Sequence, residues 1–84
     1  MNISPPLKEV KAVLSYILNS NNKALRRKSL EFVMELLSEV EMDYTKAEQA
    51  LKAEIKGERK KADEFIEHIL SDIDKQEYGE KLFK

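Results

Sequence analysis

Two basic clusters are the residues with the clearest capacity for chemistry. Lys23, Arg26, Arg27 and Lys28 form the first, and Lys56, Arg59, Lys60 and Lys61 the second. Cations at this density suit phosphate oxygens or the carboxylates of an acidic partner. Acids follow each cluster: Glu31, Glu35, Glu39, Glu41 and Asp43 after the first, then Asp63, Glu64, Glu67, Asp72 and Asp74 after the second. A chain that folds back near Asp43 to Thr45 would set Arg26 to Lys28 level with Lys60 and Lys61, merging the clusters into one patch. Asp63 and Glu64 lie alongside, and no aromatic stands among the basic residues to stack on bases. Charge runs are more often solvated surface than ligand sites. Protein contact is therefore the first expectation and nucleic-acid binding the alternative.

Other chemistry is weakly furnished. Glu64, His68 and Asp72 share a helix face at spacings of four, a geometry able to hold a divalent metal. Glutamate-rich surface helices produce the same arrangement by accident, so no metal site is expected. Arg26-Arg27-Lys28-Ser29 has the form of a basophilic phosphorylation site, and such short matches are common by chance. Acid pairs such as Asp63 and Glu67 have no pocket that would shift them from ordinary carboxylates. One histidine, two isolated glycines and no cysteine leave no nucleophile–base pair, phosphate-cradling loop or thiolate. The expectation is no enzyme and no cofactor.

Composition agrees with a small binding protein. The 84 residues carry 15 basic and 16 acidic side chains, so the net charge of −1 exerts no general pull on nucleic acid or anionic membrane. Apolar residues are 42%, enough for a core, and charged residues are 37%, well above an average domain. No apolar run approaches membrane-spanning length, and Met1 to Pro6 does not read as a secretory leader. A single cytoplasmic domain is expected.

The elements that position these residues are helical. Ser4 and Pro5 mark a helix start, Ser4 as cap and Pro5 in the first turn. Leu7, Val10, Val13, Leu14, Ile17 and Leu18 recur at helical spacing until Asn19-Ser20-Asn21-Asn22. A second apolar stripe runs through Leu30, Val33, Leu37 and Val40, broadened by Leu25, Phe32, Met34 and Leu36. The segment from Leu7 to Val40, with its Asn-rich turn and Leu25-Arg26-Arg27-Lys28-Ser29-Leu30, resembles a single HEAT or armadillo hairpin. No second copy follows it, and no function is transferred from that family.

Thr45 and Glu48 have the spacing of a capping box. From there Leu51, Ile55, Ala62, Phe65, Ile69 and Ile73 hold the helical phase, and no capping residue stands just after Gly57. The pattern predicts an all-α bundle of three helices over about 5–19, 22–43 and 45–78, the last straight, bent or broken at Gly57. Gly79 is expected to end it, leaving Tyr78, Leu82 and Phe83 as a terminal apolar group that needs docking.

The second helix starts basic and ends acidic, against its own macrodipole. An unbroken last helix would reach about 50 Å, and the second covers only about 33 Å of that length. Phe65, Ile66, Ile69, Leu70 and Ile73 would then lie uncovered. The sequence-based expectation is a homodimer completing the bundle through these residues, in a protein whose role is interaction or assembly. A monomer would require the break at Gly57.

Overall fold

Two residues in the left-handed region set the number of helices. Gly57 has φ +81° and Glu41 has φ +58°. At Gly57 the Glu58 N–H donates to the Ala53 carbonyl and the Gly57 N–H to the Glu54 carbonyl. The same pair of bonds forms at Glu41, where Met42 N–H reaches the Leu37 carbonyl and Glu41 N–H the Ser38 carbonyl. Each is a Schellman motif, which ends a helix by turning its last carbonyls onto the N–H groups of the departing chain.

In a computed structural model that describes the backbone from Pro5 to Leu82 and side chains from Pro5 to Lys75, these motifs delimit the helices. They are α1 (Pro5–Leu18), α2 (Lys23–Glu39), α3 (Thr45–Ile55) and α4 (Arg59–Leu82), and no strand occurs among the described residues. The architecture is all-α, as periodicity requires. The three-helix expectation is corrected to four helices, because the chain breaks at Gly57 rather than running straight. The missing cap after Gly57 was a poor guide. A Schellman motif closes α3 from its C-terminal side, and α4 opens with only the Glu58 carbonyl accepting the Ala62 N–H.

The other boundaries have equally local causes. Asn22 caps α2, its side-chain oxygen accepting the Leu25 N–H at 3.0 Å. Thr45 is the first residue of α3 rather than its cap. Asp43 accepts both the Thr45 N–H and the Thr45 hydroxyl, while Glu48 N–H bonds the Tyr44 carbonyl. The expected capping box is therefore replaced by an Asp43 turn. Helix α4 continues through Gly79 to Leu82 instead of stopping there. Ser4 and the side chains of Tyr78, Leu82 and Phe83, expected as cap and terminal apolar group, lie outside the described residues.

The helices neighbour one another as a ring, α1 on α2, α2 on α3, α3 on α4 and α4 on α1. Short connections make successive helices antiparallel. Leu7, Val10, Leu14 and Ile17 of α1 face Leu30, Val33, Leu36 and Leu37 of α2 and Ile66, Ile69 and Ile73 of α4 in one core. Helix α3 contributes Ala47, Ala50 and Ala53, small residues that let its backbone approach its neighbours closely. The stripe expected to be uncovered is instead closed over within one chain. Ile66, Ile69 and Ile73 are buried at 0%, 5% and 1% exposure within one chain, while Phe65 and Leu70 pack half-buried against the same core. Breaking the helix at Gly57 folds α4 back along α3 and α1, which covers the stripe without a partner.

The two left-handed residues give predictions of opposite sign. A Cβ at Gly57 would meet no atom within 4 Å, so Gly57→Ala costs backbone strain alone, about 1–2 kcal/mol. Glu41→Gly relieves that strain and should stabilise by roughly 0.5–1 kcal/mol. Urea unfolding of both variants measures the pair, and a stabilised Gly57→Ala would refute the motif.

Asp43 supplies a pH test. The Thr45 hydroxyl and N–H hold its carboxyl below the ordinary value, so its contribution is present above a pH of about 4 and lost as pH falls through the depressed folded value. The stability gap between wild type and Asp43→Ala should close on acidification. A gap that widens below pH of about 3 would contradict the assignment.

Candidate functional site

Where α1 ends, α2 and α4 begin and α3 ends, a single guanidinium holds the four segments together. Arg26 has no exposed surface. Its position explains the burial: Arg26, Leu30, Val33 and Leu37 follow one another on the apolar face of α2. Arg26 Nε donates to Glu54 Oε1 of α3 at 2.9 Å, and Nη2 donates to Asp63 Oδ1 of α4 at 2.6 Å. Nη1 donates to the Ile17 carbonyl of α1 at 2.6 Å, with a longer contact of 3.5 Å to the Ser20 carbonyl. Burial acts to lower the Arg26 pKa, but the hydrogen bonds and charges of Asp63 and Glu54 outweigh it and hold the group above its ordinary value.

Arg59 extends the network. Its Nη2 donates to the Leu18 carbonyl at 3.0 Å, its Nη1 to Asn21 Oδ1 at 2.6 Å and its Nε to Asp63 Oδ2 at 3.3 Å. Helix C-termini leave carbonyls without intrahelical partners and carry partial negative charge. The last turn of α1 contains no basic residue of its own. Two arginines from other helices supply what it lacks.

Arg26 and Arg59 line a cleft of about 310 Å³ together with Asn21, Lys23, Glu54 and Gly57. A shallower groove of about 560 Å³ continues past Gly57 and Arg59 along Glu58, Lys60, Lys61 and Glu64. The two basic clusters therefore do meet at one end of the bundle. Their members differ in availability. Arg26 is enclosed and Arg59 is committed to Leu18, Asn21 and Asp63, while Lys23, Arg27, Lys28, Lys56, Lys60 and Lys61 are exposed. Arg26 and Arg59, expected as ligand contacts, each face carboxylate and carbonyl oxygens of their own chain and act in the fold as internal ties. Burial of Arg26 also splits the Arg26-Arg27-Lys28-Ser29 motif, and Ser29 itself is only half-exposed.

Chemically, the Arg26 guanidinium lies sealed behind the cleft wall by Glu54 and Asp63, and Arg59, Lys23 and Asn21 are the polar groups that reach the cleft. The cleft offers charge and hydrogen-bond donors at its rim, with no nucleophile set against a base. Glu64, His68 and Asp72 are exposed, and Asp72 is engaged by Lys46 of α3. No group of three or more metal-ligating side chains comes together among the described residues.

Sequence reasoning missed Glu54 altogether and took Asp63 as a charge opposing the patch and as half of an unremarkable acid pair with Glu67. A signal existed. Glu54 continues the stripe of Ala47, Ala50 and Ala53 on α3, as Arg26 continues the leucine stripe on α2. Opposite charges in apolar phase on two helices of one small bundle have little choice but to pair.

Removing one partner is the informative perturbation. Arg26→Ala leaves Glu54 buried and unpaired and uncaps α1, and should cost about 3–5 kcal/mol. Arg26→Lys keeps the charge but cannot bond three divergent partners, and should cost about 2 kcal/mol. Arg26→Met combined with Glu54→Leu removes both charges and should recover most of the loss. Thermal melts by circular dichroism check the order. Equal stability of Arg26→Ala and wild type would refute the network.

Against this geometry, comparison with protein-family models, curated proteins and solved structures finds no match for the chain.

Proposed function

We propose that the chain is a non-enzymatic, cytoplasmic protein-interaction module that recognises its partner, a second copy of itself or another protein, through charged helix faces. The observation that carries this reading is the charge left over after the fold is satisfied. Exposed Lys23, Arg27, Lys28, Lys56, Lys60 and Lys61 gather around the cleft end, while exposed Glu39, Glu41 and Asp43 stand at the opposite turn between α2 and α3. Opposed blocks of charge steer association and exclude wrong partners. Within α2, exposed Lys23, Arg27 and Lys28 at the start and Glu39 at the end oppose the helix macrodipole.

A second reading is nucleic-acid binding, favoured by the meeting of both basic clusters at one end. Its drawback is that the two arginines best suited to phosphate are the ones tied up internally.

Capture of partners by the tagged protein from native extract, with and without nuclease, separates the two. The expected result is a nuclease-resistant partner or self-association that weakens with salt. In anisotropy titrations with duplex DNA and RNA, binding at physiological salt should be weaker than micromolar. Sub-micromolar binding, lost on replacing Lys23, Lys56, Lys60 and Lys61 together, would reverse the ranking. Those lysines are chosen because their removal leaves the Arg26 and Arg59 ties intact.

A further inference from the structure

The outward face of α2 has a pattern the fold does not use. Its inner face packs on α1 and α3, leaving Lys23, Arg27, Glu31 and Glu35 exposed. At spacings of four these residues form one ridge along the helix surface, two cations and then two anions. The ridge spans about 18 Å, with its midpoint between Arg27 and Glu31. Among the described residues, none of the four is drawn into an ion pair or side-chain hydrogen bond within the chain.

We propose that this ridge is a self-recognition surface on which a second copy of the chain docks α2 antiparallel about a two-fold axis. A pattern that is positive in one half and negative in the other is its own complement once reversed. The two-fold axis at the midpoint sets Lys23 opposite Glu35 of the partner and Arg27 opposite Glu31 of the partner, and symmetry doubles both pairs. A parallel copy in the same register would oppose like charges throughout. Phe32, 39% exposed, flanks the ridge and gives each helix an apolar shoulder beside the partner's Arg27 and Lys28 stems. The inverted charge order of α2, unfavourable for an isolated helix, acquires a purpose in the pair.

This inference rests on the interaction reading and names its partner. Pairs of exposed charges contribute little individually, and one helix face covers less than the area of a stable obligate dimer. The dimer is therefore transient, strongest at low salt, and separate from the core, which each chain closes alone.

Sedimentation equilibrium at about 20 mM and about 150 mM salt tests it. Wild type should show a concentration-dependent dimer at low salt that weakens at the higher salt. Lys23→Glu with Arg27→Glu makes the ridge wholly acidic, and Glu31→Lys with Glu35→Lys makes it wholly basic. Each variant should keep its helical spectrum and dimerise about tenfold more weakly or worse. An equimolar mixture of the two should regain dimers, because each is now the complement of the other. A wild type that stays monomeric at tens of micromolar in low salt overturns the proposal. So does a dimer that persists in either variant, or a mixture that fails to recover. A nuclease-resistant partner captured by a monomeric wild type would leave the interaction reading standing while removing this one. A dimer insensitive to the ridge would do the same.

Discussion

A positive charge with no access to water is the constraint around which this bundle is built. Arg26 must place its N–H groups on acceptors, and the acceptors come from every helix: Ile17 carbonyl from α1, Glu54 from α3 and Asp63 from α4. Sliding or rotating any of these helices by a residue would pull its acceptor out of line with the guanidinium. A leucine at the same position would tolerate sliding and rotation, because dispersion contacts are nearly indifferent to direction. A guanidinium fork fixes both. The contribution is to uniqueness more than to stability, since removing the charges from water costs nearly what their attraction returns.

The same group resolves two local deficits. Helix α1 ends on carbonyls that no residue of its own satisfies, and α2 begins with cations that its macrodipole disfavours. Placing Arg26 and Arg59 against the end of α1 satisfies the carbonyls and gives one of the α2 cations, Arg26, its acceptors. Glu54 near the end of α3 is poorly placed by the dipole argument as well, and the neighbouring guanidinium compensates it. Features that look frustrated helix by helix become consistent when the four ends are brought together.

Small residues make room for this arrangement. Ala47, Ala50 and Ala53 keep α3 thin, so the chain turns at Gly57 and lays α4 against both α3 and α1. The core closes within one chain, and the charge that remains outside on Lys23, Arg27, Glu31 and Glu35 is free to act between chains. Interior and exterior of α2 thus have different tasks. The apolar face and Arg26 close the chain on itself, while the outer ridge stays exposed and carries the proposed self-recognition.

The sequence by itself determined the helical class and most core positions. Leu7, Val10, Leu14, Ile17, Leu30, Val33 and Leu37 are buried as their spacing of three and four requires, because a helix can present only one face to a core. It also determined the first turn, where Asn22 caps locally. Tertiary structure alone decided the break at Gly57. A glycine is compatible with both a continuous helix and a left-handed end, and the choice depends on whether Ile66, Ile69 and Ile73 gain cover by folding back. Tertiary structure also decided the standing of the basic clusters. Arg26 and Arg27 are adjacent and chemically identical, yet successive helical residues point about 100° apart, which puts one guanidinium among carboxylates in the interior and the other in water.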